Sequence, residues 1–353
     1  MTWVERLTVR DLRNIREAEV ELHPGLNVFH GRNAQGKTSL LEALGVLARG
    51  RSFRTEDAAS MIRRGAPCLL ARAKGGNEAR ATLEVELQPG HRVFRVDGRD
   101  VPSREYGGRL EVVVYSTDRL RVVRGTMRDR RAFLDRQAAA LWPSYRADLR
   151  EFERVLAQRN AALEARRRDV DAWTERFVAA GARLRHRRER YVQRLNAALA
   201  AGFRPSGESY GVDVPSAPGE EQARRALAEE LAPLAGRERA AGRSLAGPQR
   251  DAVALLLDGR DAAGGASSGQ VRSLLLALAL ATLRVYRDET GQPAVALLDD
   301  LDSELDAERA VAVCGEVARA GQALVTSAHA GWAETLRPLG HIYQVSEGRV
   351  ACA

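Results

Sequence analysis

Nine residues near the amino terminus, Gly31-Arg32-Asn33-Ala34-Gln35-Gly36-Lys37-Thr38-Ser39, constrain the fold more than any other stretch. They fit the pattern G-x-x-x-x-G-K-[ST], and their flanks supply the context that pattern needs. Before them, Leu26-Asn27-Val28-Phe29-His30 is a short apolar run suited to a buried strand; after them, leucines recur at helical spacing from Leu40 to Leu47. A glycine turn alone is commonplace. A strand, a tight turn and a helix in that order aim several backbone N–H groups and a helix N-terminus at one point, which favours a polyphosphate. Lys37 is then expected to reach the β- and γ-phosphates of a nucleotide triphosphate, and Thr38 to help hold Mg²⁺.

The complementary chemistry lies near the other end. Ala294-Val295-Ala296-Leu297-Leu298-Asp299-Asp300 reads as a buried strand closed by two carboxylates, the Walker B form, expected beside the phosphate-loop strand. Asp299 would face Mg²⁺, and Asp300, pointing differently, would polarise the attacking water. Upstream, Ala266-Ser267-Ser268-Gly269-Gln270 opens an apolar helix over Val271–Val285, with small and polar residues leaving N–H groups free for a second phosphate contact. Leu301-Asp302-Ser303-Glu304-Leu305-Asp306 is read as the start of the next helix. Ala323-Leu324-Val325-Thr326 is a core strand delivering Ser327-Ala328-His329 to the same sheet edge, where His329 either senses a γ-phosphate or simply packs.

Between these blocks the chain changes character. Residues 1–30 alternate apolar and polar positions as half-buried strands, and period two returns from Cys68 to Val101, with turns at Gly75-Gly76-Asn77, Pro89-Gly90 and Asp97-Gly98. This predicts a small antiparallel sheet, with Val112-Val113-Val114-Tyr115 a central strand and a helix around Glu56–Arg63. The character changes at Ser116, and from about Arg136 to about Ala201 the spacing is helical, with two antiparallel helices of about 25–30 residues each expected. Residues 202–219, with Pro205 among several Gly and Pro, read as a connector, followed by a short helix over Glu220–Leu234 and a strand over Val253–Leu257. The domain reading is therefore 1–115, an inserted helical lobe over 116–289, and 290–353 completing the first lobe.

Charge narrows the partners. The net charge of +8 points weakly to a polyanion, and only Lys37 and Lys74 among 55 basic residues are lysines. Seven arginines crowd residues 119–136, as a solvated face or as phosphate contacts. No apolar run approaches the ~20 residues of a membrane span. The start, Met1-Thr2-Trp3-Val4-Glu5-Arg6, lacks a signal-peptide pattern, and the three scattered cysteines form no metal-type pair, so a cytoplasmic protein without a membrane association is expected.

The order phosphate loop, helical insertion, Ser-x-Gly-Gln, Walker B, Ser-x-Leu-Asp and histidine resembles the ABC-type ATPases. The fold this implies is α/β, an ABC-type P-loop ATPase head (mixed sheet with an antiparallel β subdomain) plus an inserted helical lobe with a short antiparallel hairpin. It also implies an ATP-gated homodimer in which Ser267, Gly269 and Gln270 contact the partner's γ-phosphate. Within that class, Leu12-Arg13-Asn14-Ile15, Pro24-Gly25-Leu26-Asn27-Val28, the phosphate loop, Gly50-Arg51-Ser52-Phe53-Arg54, Arg130-Arg131-Ala132-Phe133-Leu134-Asp135, Gly247-Pro248-Gln249-Arg250-Asp251 and Ser267-Ser268-Gly269-Gln270 look like the RecF family of bacterial recombination mediator ATPases. The resemblance runs almost end to end. Ala34 stands where the family has glycine, which is tolerable if φ there is negative. Gln249 replaces a histidine, and Asp251-Ala252 replaces Asp-Asp.

That resemblance implies an SMC-like head without a long coiled coil, ATP-dependent binding of double-stranded and gapped DNA, and weak, DNA-stimulated hydrolysis. It further implies cooperation with RecR, and with RecO and RecA in the pathway. Two alternatives use the same motifs: the nucleotide-binding subunit of an ABC transporter, and a scaffold that binds ATP but barely hydrolyses it. Asp300 where transporters generally carry Glu, together with the arginine-rich lobe, argues against the first; the paired Asp299 and Asp300 argue against the second.

Overall fold

The computed structural model describes residues 2–55, 57–75, 81–204, 207–303 and 305–352. Glu56, Gly76-Asn77, Pro205 and Glu304, each part of a segment read above, lie outside the described residues. The chain forms two compact units, one of Met1–Arg119 with Thr282–Ala353 and the other of Leu120–Ala281.

The first unit is built on two six-stranded sheets. One has the order Arg349–Cys352, Gly340–Ser346, Leu26–His30, Ala323–Ser327, Val295–Leu298, Val112–Tyr115, and is parallel except for its first strand. The other is antiparallel and joins Ile15–Glu21, Val4–Leu12, Leu69–Gly75, Thr82–Gln88, His91–Val96 and Arg99–Asp100. The helix Lys37–Arg49 is buried at every position except Thr38 and Arg49, because its leucines share one core with Val9, Ala71 and Val85 of the antiparallel sheet and with Leu297 and Leu324 of the parallel one. A helix buried nearly all round needs cover on all sides; two sheets provide it, and the buried Glu42 is paired with Arg13.

Four sequence expectations are corrected here. The Walker B strand does not neighbour the phosphate-loop strand, since Ala323–Ser327 pairs with both and lies between them. Val112–Tyr115 is buried throughout, yet it is an edge strand of its sheet; burial on both faces makes a run apolar whether or not both edges are paired. Among the described residues 57–63 the only helical element is the 3₁₀ turn Ala59–Met61, because backbone bonds here go elsewhere: Arg13 N donates to Met61 O, and Arg63 N to Asp11 O. After Asp300 comes a 3₁₀ turn, Leu301–Ser303, and the helix starts only at Ala307, where the Asp306 carboxylate caps Arg309 N.

In the second unit a helix over Met127–Leu141, which the sequence reading did not single out, precedes the two expected ones, Pro143–Glu164 and Val170–Ala200. The last two form the antiparallel hairpin, with Arg183 and Arg187 on Asp148, and Arg159 on Thr174. They are unequal, of 22 and 31 residues, the longer about 46 Å. The connector expected over 202–219 contains a strand, Tyr210–Asp213, in a three-stranded sheet with Ala254–Leu257 and Arg260–Asp261.

A buried ionic network ties this unit together. The Arg185 guanidinium bonds both oxygens of Asp251 and one of Glu230, while Arg188 reaches Asp135 on both oxygens and the Pro248 carbonyl. Arg131 donates to Asp251 O at 2.7 Å, and the Tyr145 hydroxyl donates to Asp135. Asp251, at the end of the Gly-Pro-Gln-Arg-Asp segment, is thus a structural counter-ion. Asp251→Ala leaves two buried guanidinium groups short of an anion and is expected to lower unfolding stability by about 3–5 kcal/mol. Urea denaturation of the variant measures it; a loss below about 1 kcal/mol would mean that water reaches these arginines.

Candidate functional site

The phosphate loop leaves the strand Leu26–His30 at Gly31, whose φ of 154° puts an added Cβ 2.2 Å from Val345 O, so that only glycine fits. Gly36 sits at φ 112° and precedes the first helical residue, Lys37. Ala34 does not meet the condition of negative φ under which alanine is easily tolerated: it stands at +63°, in the left-handed region, which costs a non-glycine residue roughly 1–2 kcal/mol. Arg32, Asn33 and Ala34 are exposed, and the Lys37 ammonium donates to Gly31 O at 2.7 Å and Arg32 O at 3.1 Å, which holds it over the loop.

The structure brings Thr38 and Asp299 together: the Thr38 hydroxyl donates to Asp299 Oδ1 at 2.9 Å across 261 positions of sequence. Thr326 Oγ1 donates to the same oxygen at 2.7 Å and accepts from Asp300 N at 2.8 Å; Ser116 Oγ lies 3.4 Å from Asp299 Oδ2. Burial pushes the Asp299 carboxyl up to about 6, against the Thr326 and Thr38 hydroxyls, and the neighbouring Asp300 charge adds to the rise. Asp300 has φ 51°, so the chain turns sharply straight after Asp299.

His329 is exposed and begins the short helix Ala330–Thr335. Its position is set by Asp302, whose Oδ2 accepts from Ser327 Oγ at 2.7 Å, Ala328 N at 2.8 Å and His329 N at 3.3 Å. Asp302, Thr326, Ser116 and Asn14 were not singled out as site residues from the sequence. The one signal was position, a polar side chain at the end of an apolar strand for Ser116 and Thr326.

Ser267, Gly269 and Gln270 belong to the second unit. The expectation of free N–H groups is corrected in part, because Ser267 and Gln270 cap each other: Gln270 N donates to Ser267 Oγ at 3.2 Å and Ser267 N to Gln270 Oε1 at 2.9 Å. Gln270 Nε2 also donates to Glu208 Oε1. Gly269 is different: among the described residues an added Cβ would find only Ser267 Oγ, 4.0 Å away, so none of them demands glycine there. Of the arginines over 119–136, several are structural. Arg119 bonds Val114 O, Arg130 is buried on Val123 O, Val253 O and Asp261, and Arg131 bonds Asp251 O. Arg121, Arg124 and Arg128 are exposed, Arg124 bonding Ser268 Oγ.

The family model of the RecF/RecN/SMC N-terminal domain matches residues 3–351. A protein of Symbiobacterium thermophilum named DNA replication and repair protein RecF is 36% identical over 343 residues, covering 92% of this chain and 91% of that protein. Its namesake in Acidothermus cellulolyticus is 35% identical over 373 residues, covering 99% and 100%. A solved structure described as the recombination mediator protein RecF-ATP in the RecFOR pathway superposes with a TM-score of 0.88 at 24% identity over 99% of both chains. The Smc head domain of Pyrococcus furiosus, bound to the C-terminal domain of ScpA, superposes at 0.60 and 13% identity, covering 100% of this chain and 96% of that one. The architecture is thus that of an ABC-type ATPase head. Among the described residues no helix is long and apolar enough to cross a membrane.

Proposed function

Because this chain belongs to the RecF/RecN/SMC N-terminal domain family, we propose that it is an ATP-dependent DNA-binding protein of recombinational repair. The observation that carries the reading is the Thr38–Asp299 bond, which joins the start of the phosphate-loop helix to the end of the Walker B strand. The relatives' shared name, DNA replication and repair protein RecF, supports it over a transporter subunit.

The backbone of residues 31–36, with Lys37, Thr38 and Ser39, would cradle the triphosphate of ATP. Thr38 and Asp299 offer the hard oxygen donors that suit Mg²⁺, and the ion would neutralise charge on the β- and γ-phosphates. Asp300 would orient the attacking water and take its proton; His329, held by Asp302, would face the γ-phosphate. Ser267, Gly269 and Gln270 would close on ATP held by a second copy, which gives the open space at Gly269 a purpose. Residues 1–115 and 290–353 would act as the ATP-binding lobe and 116–289 as the signature lobe. Slow, DNA-stimulated hydrolysis would then reset the dimer. RecR would be the direct partner, with RecO and RecA acting in the same cytoplasmic pathway.

Double-stranded and gapped DNA would be held through phosphates by exposed arginines, among them Arg121, Arg128 and Arg166–Arg168 at the hairpin tip. Sedimentation with and without ATP-Mg²⁺ and a short fluorescent duplex tests the whole reading: a monomer that dimerises only with ATP, and then carries the duplex, supports it. A protein that binds ATP but neither dimerises nor holds DNA overturns it. Duplex affinity is expected to fall roughly a hundredfold or more between about 50 and 200 mM salt. A flat salt profile by fluorescence anisotropy would rule out phosphate contacts as its source.

A further inference from the structure

Two hairpin tips from opposite ends of the sequence meet at the phosphate loop. One is the two-residue turn Arg13-Asn14 between paired Leu12 and Ile15; the other is Glu347-Gly348 between paired Ser346 and Arg349. Both residues of the second turn have positive φ, 50° and 75°, and an added Cβ at Gly348 would stand 3.0 Å from Asn14 O. Asn14 Nδ2 donates to Ala34 O at 2.8 Å. Gly348 N donates to Gln35 O at 2.9 Å, and Glu347 N donates to the Gln35 side-chain Oε1 at 2.6 Å.

These bonds decide which way the loop's peptides face. In a trans peptide the carbonyl and the following N–H point in opposite directions. Fixing the Ala34 and Gln35 carbonyls outward on the two tips therefore turns the N–H groups of Gln35 and Gly36 inward, toward the place a phosphate would take. The arrangement also needs Ala34 at φ 63°, a conformation that glycine adopts freely and alanine resists. The amide of Asn14 is close to the next glycine as well, with Oδ1 3.3 Å from an added Cβ at Gly36.

We propose that Asn14 and Gln35 are positioning residues that clamp the phosphate loop between the two hairpin tips and so set the affinity for nucleotide. The proposal rests on the reading of this loop as the ATP site. The test is equilibrium binding of a fluorescent ATP analogue to the full chain, with Lys37→Ala as control and thermal melting run in parallel. Asn14→Ala and Gln35→Ala are each expected to weaken binding about tenfold, the worth of one lost hydrogen bond. Their melting temperatures should stay near that of the parent chain.

Ala34→Gly added to Asn14→Ala should restore affinity to within about threefold, because glycine holds the left-handed conformation without help. General destabilisation would not be cured by that change. Binding unaltered in both single variants while Lys37→Ala loses it would overturn the clamp and leave the ATP site standing. Affinity and melting temperature falling together, without rescue by Ala34→Gly, would also overturn it. Lys37→Ala binding as well as the parent chain would remove the ATP-site reading and the clamp with it.

Discussion

Ser267→Arg is expected to abolish ATP-driven dimerisation while a single chain still binds ATP with unchanged affinity. Ser267 is exposed, and the residues that form the phosphate loop lie in the other compact unit of the chain. A guanidinium-bearing side chain at 267 would fill the space left open at Gly269, where the second copy's triphosphate is proposed to enter. The change also removes the cap that Ser267 Oγ offers Gln270 N, at a cost of about 1 kcal/mol. Ser267→Ala separates the two effects, since it loses the cap without adding bulk and should still dimerise. Sedimentation with ATP reads dimerisation, and titration with a fluorescent nucleotide reads binding. Equal loss of both in Ser267→Arg would sink the two-copy sandwich.

Asp300→Asn is expected to slow ATP turnover by about a hundredfold or more, the usual worth of a positioned general base, with nucleotide affinity little changed. The amide is isosteric and keeps the turn at φ 51° and the bond from Asp300 N to Thr326, so the site should persist without its base. The proposed ATP-bound dimer should then outlast that of the parent chain, if hydrolysis releases it as proposed. Phosphate release under single turnover gives the rate, and dilution from the dimer gives its lifetime. Unchanged turnover would assign the water to another group. Asp299→Asn should behave differently, because Asp299 accepts from Thr38 and Thr326 together and its loss would weaken binding in the presence of Mg²⁺.

How much of this was legible depended on whether the signal was local. The phosphate loop could be read because strand, turn and helix are adjacent in sequence and each has its own period, and the strand ending at Asp299 could be read for the same reason. The φ of Ala34 was not legible, since a residue's φ is imposed by what holds its peptide, here Asn14, twenty residues upstream. The arginines over 119–136 carried one sequence pattern but have two fates: Arg130 is buried on Asp261, whereas Arg121 is exposed. Nothing in their spacing separates an arginine that meets a distant carboxylate from one that meets water.

The amino-acid sequence by itself determined the α/β class, the triphosphate loop, the paired acids and the Ser-x-Gly-Gln element, because each is a short-range pattern with a physical meaning of its own. Only the tertiary structure decided that Ala323–Ser327 separates the two motif strands, that Thr326 hydrogen-bonds both acids, and that Asp302 positions the histidine turn. Those are pairings between residues far apart in the chain. They follow from which strands close the sheet, and strand order is chosen by packing of the whole core rather than by any local run of residues.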